Sequence, residues 1–184
     1  MLAREPNKYS ANYDNIMTFS FDKTQLLTTT DTESFLVQSV HSLCEGNFDY
    51  ISNAANISAV IFEHVPNINW VGFYFLRNNS LYLGPFQGKV ACTLIPIGKG
   101  VCGTAVAEQK IQRIDNVHEF PGHIACDAAS NSELVIPLWV NNSIIGVLDI
   151  DSPLFSRFTE TDENIFRQIT DIFSTYSDFS FFHI

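Results

Sequence analysis

Basic residues are scarce in this chain: 10 Lys and Arg stand against 20 Asp and Glu among 184 residues, a formal net charge of −10. Attraction to a phosphate backbone is supplied by clustered Lys and Arg, so nucleic acid is excluded as a partner. Long apolar runs are also lacking. No stretch approaches the roughly 20 residues of a membrane-spanning helix, and the opening MLAREPNKYSANYDNIM holds neither an apolar core nor a cleavage signal. The expectation is no membrane attachment and a cytoplasmic location. There is no CxxC pair to complete a zinc finger with His118 and His123, and no phosphate-cradling glycine loop. Repeats, low-complexity tracts and a dividing Pro/Gly linker are missing as well, so the length fits one domain. Charged residues reach only 16% while hydrophobic ones reach 46%, with 16 Phe, a composition that folds around a core.

What is present reads in order. Residues 1–28 are polar and without period, an expected N-terminal extension. The domain runs over 29–176 and a short tail over 177–184. Leu36, Val40 and Leu43 mark an amphipathic helix ended by Gly46, and a second helix follows through residues 48–65, with Ala54, Ala55 and Ala59 allowing close packing. Aromatic and β-branched residues at 68–76 form a strand, Asn78-Asn79 a turn, and residues 80–86 the returning strand. Residues 90–97 read as a third strand. A glycine turn at 98–100 leads to a short helix near Val101, and residues 111–114 suit another short strand. The irregular stretch 115–132 is long enough to be functional. Two further strands make a hairpin about Asn141-Asn142. A last helix opens at Thr159, where Thr159 and Asp162 have capping-box spacing. Hairpins dominate, so the fold class is α+β: a largely antiparallel sheet with terminal helices on one face, and on the other a ligand pocket roofed by loops and a short helix.

Four cysteines are candidates for chemistry: Cys44, Cys92, Cys102 and Cys126. Cys44 closes the first helix and reads as packing. Cys102 lies at a helix start, where the dipole and backbone N–H groups favour thiolate. Cys126 follows His123 by three residues in PGHIACD, with Asp127 and Glu133 opposing thiolate formation. Cys92 falls on the third strand with no local activating feature. Asp149 and Asp151 in GVLDIDS project to one face while Leu148 and Ile150 project to the other. Two adjacent desolvated acids repel each other, so at least one carries a raised pKa. A solvated strand edge is the plain alternative. Trp70 and Tyr74, four apart on a strand, share a face. They serve either as core or as an aromatic wall for a small apolar group with a polar head.

Taken together, the strings NINWVGFYFL, LGPFQGKVAC, GKGVCGTA, PGHIACDAASNSE, ELVIPL and GVLDIDS resemble the free methionine-(R)-sulfoxide reductases, small enzymes with a GAF fold. The likeness covers roughly residues 30 to 175. It implies reduction of free L-methionine (R)-sulfoxide with electrons drawn from thioredoxin, and neither a metal nor an organic cofactor. It also implies that Cys126 attacks, Cys92 closes a disulfide and Cys102 is a further redox partner, against the local reading that favours Cys102. Trp70 and Tyr74 match the family's wall for the methyl and sulfur end, and Glu133, Asp149 and Asp151 match its acidic groups. The resemblance and the many Phe lean toward a homodimer. The competing readings are a non-catalytic GAF-type sensor with redox-active thiols and a zinc-stabilised interaction module.

One condition attaches to Glu133. Simple two-residue pairing about Asn141-Asn142 sets Leu134 opposite Asp149 and turns Glu133 away from both aspartates. A bulge or a longer turn sets Glu133 opposite Asp151 on their face. A role for Glu133 requires the latter.

Overall fold

The computed structural model describes residues 29–122 and 129–180. The N-terminal extension therefore lies outside the described residues, as do His123, Cys126, Asp127 and the last four residues of the tail. Within the described chain, α1 (Thr29–Cys44) and α2 (Tyr50–His64) precede β1 (Trp70–Arg77), β2 (Ser80–Gly88) and β3 (Leu94–Pro96). Then come α3 (Gly100–Glu108), β4 (Gln112–Ile114), a 3-10 turn (Val117–Glu119), β5 (Ser132–Val140), β6 (Ser143–Ser152) and α4 (Glu160–Tyr176). No helix among the described residues is long and apolar enough to cross a membrane.

The six strands form one sheet in the order β3-β2-β1-β6-β5-β4, with every neighbouring pair antiparallel. Both hairpins turn on Asn-Asn. Asn78, Asn79, Asn141 and Asn142 all have positive φ, as a type I′ turn demands, and asparagine tolerates that region better than other side chains. α4 starts where expected: the Thr159 hydroxyl accepts from the Asp162 N–H, and the Asp162 carboxylate accepts in return from the Thr159 N–H at 2.8 Å.

Alternation along the strands separates two apolar layers. On one face Val71, Phe73, Phe75, Leu134, Ile136, Leu138, Leu148 and Ile150 pack against α1, α2 and α4 through Leu36, Val40, Ile57, Ile61, Phe166, Ile169 and Phe173. Phe179, in the tail, is buried in this layer too. On the other face Trp70, Tyr74, Val135 and Val147 meet Val101, Cys102, Ala105 and Val106 of α3. Phe120, beyond the 3-10 turn, packs against this second layer, so helix and loop together cover it.

The third strand is shorter than the sequence pattern suggests, Leu94–Pro96 rather than 90–97, and Cys92 sits in an irregular segment before it. Side-chain donors account for the difference. The Trp70 indole N–H donates to the Lys89 carbonyl at 3.0 Å and the Tyr74 hydroxyl to the Cys92 carbonyl at 3.1 Å, so these acceptors are drawn to side chains instead of a strand ladder.

The β5–β6 register carries the feature on which Glu133 depends. Val140 pairs with Ser143 and Trp139 with Ile144 around the two-residue turn, but Leu138 pairs with Gly146, leaving Ile145 as an extra residue. This bulge inverts the phase of β6. Ile145 joins the helix-side layer, as Leu148 does three residues on, and from there Glu133 faces Asp151. Just past the bulge, Gly146 runs so close to β1 that an added Cβ would overlap the Tyr74 carbonyl oxygen, with Phe75 Cα a further 3.1 Å contact. Gly146→Ala is therefore expected to destabilise the fold by about 1–3 kcal/mol, the range for overpacking a tight interior. The measurement is urea denaturation, with the midpoint falling and the slope unchanged.

Candidate active site

The phase set by the bulge gathers the acids. Glu133 on β5 and Asp149 and Asp151 on β6 project from the sheet face that α3 covers, and Cys102, at the third position of α3, points down between them. One ligand-type atom from each of Cys102, Glu133 and Asp149 lies within 4.8 Å of the other two, and all three residues are buried. The thiol approaches Glu133 Oε1 at 3.9 Å. Asp151 is half-buried, opposite Glu133 on one side and Trp70 on the other.

Hydroxyl groups fasten the strand ends beside these acids. Ser152 Oγ donates to the Asn67 carbonyl and Ser132 Oγ to the Leu154 carbonyl, both at 2.7 Å, while the Asn69 amide donates to Ser130 Oγ at 3.0 Å. The carboxylates are thus held on backbone that cannot slide. Sequence reasoning did not single out Ser132 or Ser152, because a buried serine has no signature until its partners are known.

The aromatic wall is a stack of three. Trp70 lies between Tyr74, with ring centroids 5.9 Å apart, and Phe86, at 5.4 Å. Gly72 makes this possible: it is the residue between Trp70 and Tyr74 on that face, and a Cβ there would come within 2.6 Å of Trp70 Cη2. The indole leans over the vacant position, and Phe86, paired with Gly72 across β1 and β2, closes the other side. Phe86 was not among the residues marked by the sequence, although an aromatic paired with a strand glycine was its available signal.

Electrostatics follow from burial. The Asp149 carboxyl is pushed up to about 6, chiefly by desolvation, and hydrogen bonds from Cys102, Glu133 and the Ile150 backbone offset only part of that. Asp149 Oδ1 is buried and accepts no hydrogen bond from the described residues. Glu133 is raised well above the ordinary carboxylate range by burial, then by the charges of Asp149 and Asp151. Burial, then the neighbouring Asp149, Cys102, Asp151 and Glu133, hold the Tyr74 phenol firmly protonated. The expectation that one member of the LDID pair carries a raised pKa is met by Asp149.

The expectation for Cys102 is overturned. Its place in the first turn of α3 should favour thiolate, yet burial, then Asp149 and Glu133, raise the thiol well above its usual value. A helix N-terminus contributes at most about 2 kcal/mol, and desolvation beside two carboxyl groups exceeds it. Cys44 is likewise raised to about 11 by burial. Cys44 and Cys102 are free thiols, whereas Cys92 is disulfide-bonded.

The same trio, Cys102, Glu133 and Asp149, is the group among the described residues with donor atoms close enough for a metal ion. It offers one soft and two hard ligands, without the Cys and His set typical of structural zinc.

A sheet covered on one side by three helices, and on the other by a short helix over an acid-and-thiol cluster, matches the GAF domain family over residues 36–175. A free methionine-R-sulfoxide reductase from Escherichia coli K12 is 58% identical over 129 residues, covering 70% of this chain and 78% of the relative. The chain belongs to the free methionine-(R)-sulfoxide reductases. A structure of fRMsr of Staphylococcus aureus in reduced form superposes with TM-score 0.77 at 48% identity, covering 78% of this chain and 94% of that one. The free methionine-R-sulfoxide reductase of Neisseria meningitidis, solved in complex with its substrate, gives TM-score 0.77 at 36% identity, over 82% and 92% of the two chains.

Two outcomes are expected. The raised Asp149 value means that the folded state holds this proton more tightly than the unfolded chain. The stabilisation is complete below about pH 4 and is lost as pH rises through about 6. Asp149→Asn has no charge to bury, so it gains on the wild type as pH rises past about 4, by on the order of 1–3 kcal/mol at pH 7.5. Paired denaturation curves at pH 4 and 7.5 measure this. Separately, Cys102 in the folded protein is expected to react with iodoacetamide at least about tenfold more slowly than an unperturbed thiol, read by mass mapping of the alkylated cysteine.

Proposed function

We propose that the protein reduces free L-methionine (R)-sulfoxide to methionine. The observation that carries this reading is the meeting, on one sheet face, of a carboxyl with a pKa near 6 and a stacked Trp–Tyr–Phe wall, with Cys92 at its rim. A sulfoxide sulfur is a poor electrophile until its oxygen is protonated or hydrogen-bonded, so an acid must face the attacking thiolate across the substrate. Asp149 is raised into the range where a carboxyl gives up its proton near neutral pH.

In this reading the Cys126 thiolate attacks sulfur, the carboxylate cluster delivers a proton to the sulfoxide oxygen, and the S–O oxygen passes to Cys126 as sulfenic acid while methionine leaves. The Cys92 thiol condenses with the sulfenic acid, forming a disulfide and releasing water. Thioredoxin then returns both thiols by dithiol exchange. Trp70 and Tyr74 receive the methyl and sulfur end. Asp151, the most accessible of the acids, supplies the counter-charge for the ammonium group and Glu133 accepts a hydrogen bond from it; a peptide-linked methionine lacks that group, hence the preference for the free amino acid. The protonated, enclosed thiol of Cys102 supports placing the attack elsewhere. A cytoplasmic location and a homodimer belong to the same proposal.

The test is consumption of each methionine sulfoxide enantiomer with dithiothreitol and then with thioredoxin. The (R) form is consumed and its N-acetyl derivative is not. Cys126→Ser abolishes methionine release in a single turnover, while Cys92→Ser keeps the first turnover and loses thioredoxin recycling. Binding of the sulfoxide without turnover would make the protein a sensor. Full single-turnover activity in Cys126→Ser would move the attack to Cys102.

A further inference from the structure

The two aromatic residues of the substrate wall also hold the segment that bears Cys92. Residues 89–93 link β2 to β3 outside any strand, and Val90 within it is 87% exposed. The segment reaches the sheet through the Leu83 N–H, which donates to the Thr93 carbonyl at 3.1 Å. It also accepts the two side-chain bonds already described, from Trp70 Nε1 to the Lys89 carbonyl and from the Tyr74 hydroxyl to the Cys92 carbonyl.

Neither donor can easily be lost. An indole N–H only donates, and the Tyr74 phenol is kept protonated by burial and by the acids around it. Both rings are fixed by stacking, Trp70 on Tyr74 and on Phe86. Rigid donors therefore pin the segment at its start and at Cys92, on either side of an exposed valine.

We propose that Trp70 and Tyr74 are positioning residues for the resolving step: they hold Cys92 where its thiol meets the sulfenic acid. The inference rests on the reduction proposed above. The step itself is a condensation in which the Cys92 S–H and the sulfenic S–OH give an S–S bond and water, with no outside electrons. Its rate depends on how often the Cys92 thiol is presented, and fixing a short segment raises that effective concentration without altering the chemistry.

The experiment mixes reduced protein with methionine (R)-sulfoxide in the presence of dimedone, which traps sulfenic acid. Mass spectrometry then reads the division of the oxidised protein between dimedone adduct and disulfide. This division is decided after methionine has left, so a change in substrate binding does not move it. Tyr74→Phe keeps the ring and deletes the donor, and is expected to raise the ratio of adduct to disulfide about fivefold, the weight of one net hydrogen bond. Trp70→Phe removes the other donor and raises it independently. Wild-type ratios in both variants would overturn the inference while leaving the reductase reading intact. A wild-type protein that releases no methionine would overturn that reading, and the inference with it.

Discussion

Like charges buried together govern this structure. Glu133 and Asp149 are taken out of water beside one another, with Asp151 at the edge, and ionising both would cost several kcal/mol per carboxylate. The cluster avoids that cost by keeping protons where an isolated carboxyl would have lost them, which is what the raised values of both groups express. A neutral, buried carboxyl is a proton donor in waiting, and the first to ionise becomes an anion in a dry setting. In the proposed reaction, one electrostatic penalty would thus supply both the proton donor and the anion that a sulfoxide amino acid needs. The helix-side layer, with Phe73, Phe75, Phe166 and Phe173 wholly enclosed, supplies the stability against which the penalty is set.

Such a cluster exists only because of a one-residue irregularity about two turns of pleat away. Side chains on a strand alternate with period two, so a register error of one residue reverses every one of them. The Asn141-Asn142 turn fixes the pairing Val140 to Ser143, and the extra Ile145 changes the offset before the strands reach the acids. Without it Leu134 would stand opposite Asp149 and Glu133 would face the helices. Gly146 then lets β6 close against β1 at the place where the bulge has distorted it. Turn, bulge and glycine form a single device whose product is the position of a carboxylate.

Much of this was legible in the chain itself. The apolar period of α4 with Thr159 and Asp162, the two Asn-Asn turns and the alternation in GVLDIDS define elements through local rules, and each appears as those rules require. The pairing arithmetic even stated the condition under which Glu133 joins the aspartates. It could not choose between straight pairing and bulge, because the deciding contact, Gly146 against Tyr74, is between strands about 70 residues apart in sequence. The third strand was overextended for a related reason: VACTLIPI has strand propensity throughout, but the acceptors near its start are drawn to Trp70 and Tyr74. The six segments quoted for the family supplied the expected residue roles, which no periodicity carries.

Cys102 shows where local reasoning fails, and why the chemistry is divided as it is. Seen along the chain, it has the glycine turn and helix start that make a thiolate. In three dimensions the same helix lowers it onto two carboxyl groups, and an acid cluster able to donate protons is the wrong neighbour for a thiol that must lose one. Acids and nucleophile therefore need different supports. The sheet fixes the acids, since a proton donor works by staying in place. Cys92 lies in a segment outside the strands, which suits the proposed role of a thiol that must move to open and close a disulfide. What such a segment gains in freedom it loses in the frequency of a productive encounter. In the proposed cycle, two hydrogen bonds from the rigid aromatic wall are a compromise between those demands, strong enough to bias the reduced segment and weak enough to yield when a reductant must reach the disulfide.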